Sequence, residues 1–224
     1  MRILVTNDDG IDSIGLHVLA RSLVPFGEVI IGAPDTEYSG ASSSFGPLHL
    51  IRPEMQKAYI DGVDEAWAVN GPPALCVMFA RLGAFGPPFD LVVSGINPGA
   101  NVGRSVYHSG TIGAALTARN GGITGVAVSQ AVDEGGYLGQ GLELMLKNQK
   151  WHSAAEAAAI AVSCLVDKPL PEPEVLNINV PNLEIDDIKG WVDTEVGTNL
   201  IRSMSEVSVE PKLGHEGTYH LKMS

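Results

Sequence analysis

Ile3-Leu4-Val5-Thr6-Asn7-Asp8-Asp9-Gly10-Ile11 opens the chain almost at its first residue and reads as a strand that runs into a polar turn. Ile3–Thr6 carries no charge and does not alternate in polarity, which fits a strand covered on both faces. Downstream, Ile14, Leu16, Val18, Leu19 and Leu23 recur at near-helical spacing, and the pattern stops near Pro25 and Gly27. Val29–Ala33 is a second apolar run, again ending in a polar loop. Strand, helix and strand in this order predict a parallel βαβ unit, and therefore an α/β fold with helices on both faces of the sheet.

The rest of the chain extends that unit. Leu48–Arg52 and Tyr59–Val69 read as strands or a hairpin with a turn at Asp61-Gly62. Pro72 and Pro73 open a helix over Ala74–Leu82, since proline is tolerated in a first turn. Leu91–Ser94, Val126–Ser129 and Leu176–Val180 are further strands, with helices expected over Ile112–Asn120 and Trp151–Val166. Asp133–Lys150 reads as an inserted loop with at most one helical turn. Past Pro181 the helical pattern fades into β segments at Trp191–Val196, Glu206–Glu210 and Thr218–Met223. Residues 1–181 are thus expected to form the main domain. Residues 182–224 form a β-rich extension with too little apolar material for its own core, packing on the main body or on a partner subunit.

Composition narrows the function classes. With 45% hydrophobic and 18% charged residues in 224, disorder of the whole chain is excluded. Fourteen basic against 26 acidic residues give a net charge of −12, which argues against binding the backbone of a nucleic-acid duplex. A small anionic substrate remains compatible, because a metal ion can reverse the local sign. No run of apolar residues is long enough for a membrane span, and Asp8 and Asp9 interrupt any signal-peptide core. Cys76 and Cys164 form no C-x-x-C pair and read as buried thiols of a reducing compartment, so a cytoplasmic protein is expected.

Chemistry gathers in three polar loops at predicted strand ends, where open α/β sheets bind ligands. The first holds Asn7, Asp8 and Asp9. Adjacent carboxylates repel unless a cation or proton lies between them, and oxygen ligands suit Mg²⁺, Mn²⁺ or Ca²⁺ better than zinc. A helix cap plus a turn is the plainer reading of the same residues. The second loop, Asp35–Ser44, offers hydroxyls and backbone amides with little bulk, including Ser39, Gly40 and Ser42. The third runs through Asn97, Asn101 and Ser109-Gly110-Thr111. Asn97 has an amide oxygen that can complete a hard-metal site without adding charge. Ser109–Thr111 stands at a predicted helix start, where free N–H groups and the dipole favour an anion. Metal plus anion-binding helix terminus is a constellation suited to hydrolytic phosphoryl transfer.

Several stretches together resemble the SurE family of metal-dependent survival-protein phosphatases. They are residues 3–11, Ala33-Pro34-Asp35 with Tyr38–Ser42, Val93–Asn101, Tyr107–Thr111 with Gly113-Ala114-Ala115, and Leu176–Pro181. The match follows the chain in order over nearly its whole length. It implies a Rossmann-like three-layer sandwich with a mostly parallel sheet, whose C-terminal segment exchanges between subunits of a homodimer or homotetramer. It also implies one divalent ion per subunit held by Asp8, Asp9, Ser39 and Asn97. Asn7, Gly40, Ser42, Asn101, Ser109, Gly110 and Thr111 would surround the phosphate, with Asp8, Asp9 and Asn101 catalytic. The implied substrates are nucleoside 5′- and 3′-monophosphates. Family members run some tens of residues further, so the extension reads as truncated or short.

On this basis the expected reaction is in-line attack on phosphorus by a water that Asp8 or Asp9 orients or deprotonates, or by a carboxylate itself. The alternative from another class is a nucleotide-binding regulatory protein with little or no turnover. A dinucleotide-dependent oxidoreductase is disfavoured, because Asn7-Asp8-Asp9-Gly10 lacks the Gly-x-Gly-x-x-Gly turn.

Overall fold

The computed structural model describes residues 1–50, 52–132, 146, 148–198 and 207–223. The main body contains β1 (Arg2–Thr6), α1 (Ile14–Leu23), β2 (Glu28–Pro34), β3 (Met55–Ala58), β4 (Glu65–Val69), α2 (Pro73–Arg81) and β5 (Leu91–Pro98). It continues with α3 (Gly110–Asn120), β6 (Thr124–Gln130), α4 (Trp151–Asp167) and β7 (Val175–Val180). Among the described residues these strands make one seven-stranded sheet in the order β3-β4-β2-β1-β5-β6-β7. All neighbours are parallel except β3 and β4. The predicted three-layer α/β sandwich is the observed one.

Residue parity in the strands makes the layers. Ile3, Val5, Ile31, Val93 and Val126 face α1 and α4, whose Leu16, Leu19, Ala154, Ala158 and Val162 complete one core. Leu4, Ile30 and Val92 point the other way, onto Cys76 and Val77 of α2 and Ala114 and Ala118 of α3. Each fully buried Leu or Ile contributes about 1.5–3 kcal/mol, so both faces must be covered. Arg2 stands at the start of β1, at the other end of the strand from the polar turn. It is 9% exposed, its Nε donates to Glu28 Oε2 at 2.9 Å, its guanidinium donates to the carbonyls of Phe85 and Pro87, and it stacks 4.3 Å from the Phe89 ring.

Several local expectations change. Leu48–Leu50 is a turn, and the strand pairing with β4 is Met55–Ala58. That edge strand is polar and largely exposed, so no apolar pattern marks it. Trp191–Val196 forms no strand, and its apolar residues are exposed, Trp191 at 84%. The last two segments form a hairpin of β8 (Val207–Pro211) and β9 (Tyr219–Met223), matching their predicted positions to within a residue. Cys76 is buried as expected, but Cys164 is exposed, because α4 turns it away from the sheet. Most of Asp133–Lys150 lies outside the described residues.

Candidate active site

The loops after β1, β2 and β5 leave the same end of the parallel sheet, where the strand order reverses, with β2 on one side of β1 and β5 on the other. Asn7 is fully buried, and its amide donates to the Gly10 carbonyl at 3.0 Å and to Ser13 Oγ at 2.7 Å. Ser13 in turn caps α1 by accepting from the Leu16 N–H. Both amide hydrogens of Asn7 are therefore engaged in shaping the turn. Among the described residues its Oδ1 has no hydrogen-bond partner.

Asp8 is buried, and the start of α3 closes on it. Thr111 Oγ1 donates to Asp8 Oδ1 at 2.7 Å, and the backbone N–H groups of Gly110 and Thr111 also serve the carboxylate. Burial raises its pKa, and those donors pull it back. A Cβ at position 110 would stand 2.8 Å from Asp8 Oδ2, so only glycine allows this approach. Ser109 caps the helix, accepting from the Ile112 N–H at 3.1 Å. The start of α3 thus turns its donors toward the Asp8 carboxylate.

Among the described residues Asp9 has no comparable donors. Its Oδ2 is buried without a hydrogen-bond partner, and burial, Asp8 and Glu37 together push its pKa up to about 8. Nearby, Tyr38 donates its N–H to the Asp8 carbonyl at 2.7 Å, which draws the second loop over the first. Ser39 Oγ donates to Glu37 Oε1 at 2.7 Å, leaving its oxygen lone pairs free to serve as a ligand. Gly40 and Ser42 lie in the same loop. Ser42 takes a positive φ of 52°, and its carbonyl packs against Gly113 of α3.

The third loop brings Asn97 and Asn101. Asn97 Nδ2 donates to the Gly99 carbonyl at 2.6 Å, a bond that uses the nitrogen and not the oxygen a cation would take. Asn101 is buried and held on three sides. Its N–H donates to Asn179 Oδ1 at 2.8 Å, its carbonyl accepts from Asn177 Nδ2 and Asn179 Nδ2, and its side chain donates to Ser129 Oγ at 2.9 Å. Glu37 lies in the Asp35–Ser44 loop and Asn177 and Asn179 in the Leu176–Pro181 stretch, but the sequence assigns no site role to them or to Ser129. For the two asparagines the signal was their alternation with Leu176, Ile178 and Val180, which looks like ordinary edge-strand polarity.

These residues suit a hard divalent cation. Every candidate ligand is oxygen, Asp9 Oδ2 has no partner among the described residues, and burial raises the pKa of both adjoining acids. Among the described residues no group of three His, Cys, Asp or Glu side chains could hold a metal, so the hydroxyl and amide oxygens would have to complete the set.

A doubly covered, mostly parallel sheet with acidic and other oxygen-bearing side chains in the loops at its strand ends defines an α/β protein of the Rossmann-like class. The profile of the family described as survival protein SurE matches residues 3–203. A 5′-nucleotidase SurE of Aeromonas hydrophila is 38% identical over 217 residues, covering 96% of this chain and 78% of its own. One from Haemophilus influenzae is 39% identical over 197 residues, covering 88% and 71%. The crystal structure of the SurE protein from Aquifex aeolicus superposes with a TM-score of 0.72 at 28% identity, covering all of this chain and 82% of that one. The chain belongs to the SurE family.

Proposed function

We propose that this chain is a nucleotidase, a phosphoric monoester hydrolase that splits nucleoside 5′-monophosphates, and also 3′-monophosphates, into nucleoside and phosphate with the help of a divalent cation. The observation that carries the metal part is the pair of buried neighbouring carboxylates, one clamped by the start of α3 and the other lacking a partner. The relatives named 5′-nucleotidase support the reaction class.

Asp8, Asp9, Ser39 and Asn97 would hold Mg²⁺ or Mn²⁺. When bound, the cation supplies positive charge to the phosphoryl oxygens and acidifies water. Thr111 and the α3 amides keep Asp8 in one orientation, so the ligand is set before substrate arrives. Asp9, with its free oxygen, accepts the proton of the attacking water. Asn101 and the backbone of Gly40 and Ser42 face the phosphoryl oxygens, while the positive end of α3 acts through Asp8. A homodimer or homotetramer in the cytoplasm completes this reading. The free thiols of Cys76 and Cys164 fit a reducing setting, and the exposed apolar residues after Pro181 fit subunit contact. Among the described residues no helix is long and apolar enough to cross a membrane.

The test is a panel of nucleoside 5′- and 3′-monophosphates and an aryl phosphate, each with Mg²⁺ or Mn²⁺, following released phosphate and bound nucleotide separately. Multiple turnovers support the proposal. Tight nucleotide binding without phosphate release would instead identify a regulatory binding protein.

A further inference from the structure

We propose that Asn179, assisted by Asn177 and Ser129, is the positioning device that sets the orientation of Asn101. This rests on the reading of Asn101 as a group that faces the phosphoryl oxygens.

β7 is an edge strand whose Leu176 and Ile178 pack toward the core under α1 and α4. Asn177 and Asn179 point to the other face, two residues apart, and both are exposed. Solvation alone would be satisfied there by serine, threonine or lysine. What the structure uses is the amide group. Asn179 accepts the N–H of Asn101 at 2.8 Å and donates to the carbonyl of the same residue at 3.1 Å. It thereby pairs with one peptide unit much as a neighbouring strand would, which requires a donor and an acceptor on one side chain. Asn177 adds a second donor to that carbonyl at 3.0 Å, filling its remaining lone pair. Ser129, fully buried on β6, fixes the side-chain end at 2.9 Å.

Asn101 belongs to a loop, not to a strand or helix. Loops hold a functional group less firmly than regular elements do. Here the edge of the sheet supplies the missing rigidity from residues 76 and 78 positions away. None of these bonds involves Asp8, Asp9, Ser39 or Asn97. The device should therefore act on turnover and leave cation affinity unchanged.

The experiment is a double-mutant cycle on the full chain with a nucleoside 5′-monophosphate and Mn²⁺. Asn179→Ala is expected to lower kcat about tenfold to a hundredfold, the scale of a small misplacement of a reacting group. KM should stay within about twofold, on the view that the loss falls on the transition state. Mn²⁺ affinity, measured by calorimetry, should not change. In an Asn101→Ala background, Asn179→Ala should have no further effect on kcat, since the side chain whose placement it sets is gone even though the main-chain bonds remain possible. Unchanged kcat in Asn179→Ala, or losses that simply multiply in the double variant, overturn the positioning role while leaving the nucleotidase reading intact. Full turnover by Asn101→Ala overturns the role of Asn101 and the positioning role with it. Thermal melting checks folding of each variant. Should Asn179→Ala prove unfolded at the assay temperature, Asn177→Ala, which removes a single bond, takes its place under the same criteria.

Discussion

Thr111 Oγ1 and Asp8 Oδ1 meet at 2.7 Å across 103 residues of sequence, joining the first turn of α3 to the end of β1. The bond is buried and charge-assisted, and the N–H groups of Gly110 and Thr111 reinforce it. Thr111→Val keeps the shape and removes the hydroxyl. If Asp8 is a ligand, losing the partner that orients it should lower divalent-cation affinity roughly ten- to a hundredfold, the usual cost of removing such an outer partner. Calorimetric titration with Mn²⁺ measures this. Undiminished affinity, with only phosphate inhibition weakened, would place the Thr111 hydroxyl on the substrate instead.

Asp9 should couple stability to pH in protein stripped of metal. Its ordinary value is 3.8, and folding raises it to about 8 through burial, Asp8 and Glu37. Between those values the unfolded chain binds fewer protons than the folded one, so stability should fall as pH rises from about 4 to about 8. A cation that replaces the proton should reverse this contribution, and binding at pH 6 to 7 should release about one proton from Asp9. Melting at several pH values, and calorimetry in buffers of different ionisation enthalpy, check both expectations. In Asp9→Asn the proton release should fall by that amount.

Arg2 offers a stability test remote from the site. Arg2→Met keeps much of the apolar stem and strands the carbonyls of Phe85 and Pro87 without their donor. The expected cost is about 2–4 kcal/mol, the range for removing one member of a buried polar network. Denaturant unfolding reads it, while cation affinity should hold.

The extension should be covered by a second copy of the chain. Trp191 and Val192 are 84% and 81% exposed, Leu213 is 95% exposed, and β8 together with residues 219–222 of β9 is exposed. A lone two-stranded hairpin is marginal in water. Light scattering at micromolar concentration should report a dimer or larger, with Trp191 fluorescence shifting to the red on dissociation. A monomer with its hairpin intact would contradict this.

The buried strands were legible because Ile3–Val5 and Leu91–Val93 are apolar on both parities, a pattern that only a doubly covered sheet explains. Met55–Ala58 was not, because an exposed edge strand is selected by pairing and not by burial. Trp191–Val196 misled for the converse reason. Its apolar residues are exposed and pair with no strand among the described residues, so their alternation does not imply a ladder. At the site, local spacing brought out Asp8, Asp9 and the start of α3. It could not show that the helix closes on Asp8, nor that β7 grips Asn101, because those bonds join segments far apart in sequence.

The central claim is that turnover requires a divalent cation held by Asp8 and Asp9. Its most direct test is release of phosphate from a nucleoside 5′-monophosphate by chelator-stripped protein, before and after Mn²⁺ or Mg²⁺ is restored, for the wild type and Asp9→Asn. The account predicts negligible release without metal and full recovery in the wild type. Asp9→Asn should remain folded and stay slower by about two orders of magnitude or more at saturating cation. Undiminished phosphate release in excess chelator, or an Asp9→Asn variant as fast as the wild type, would contradict it.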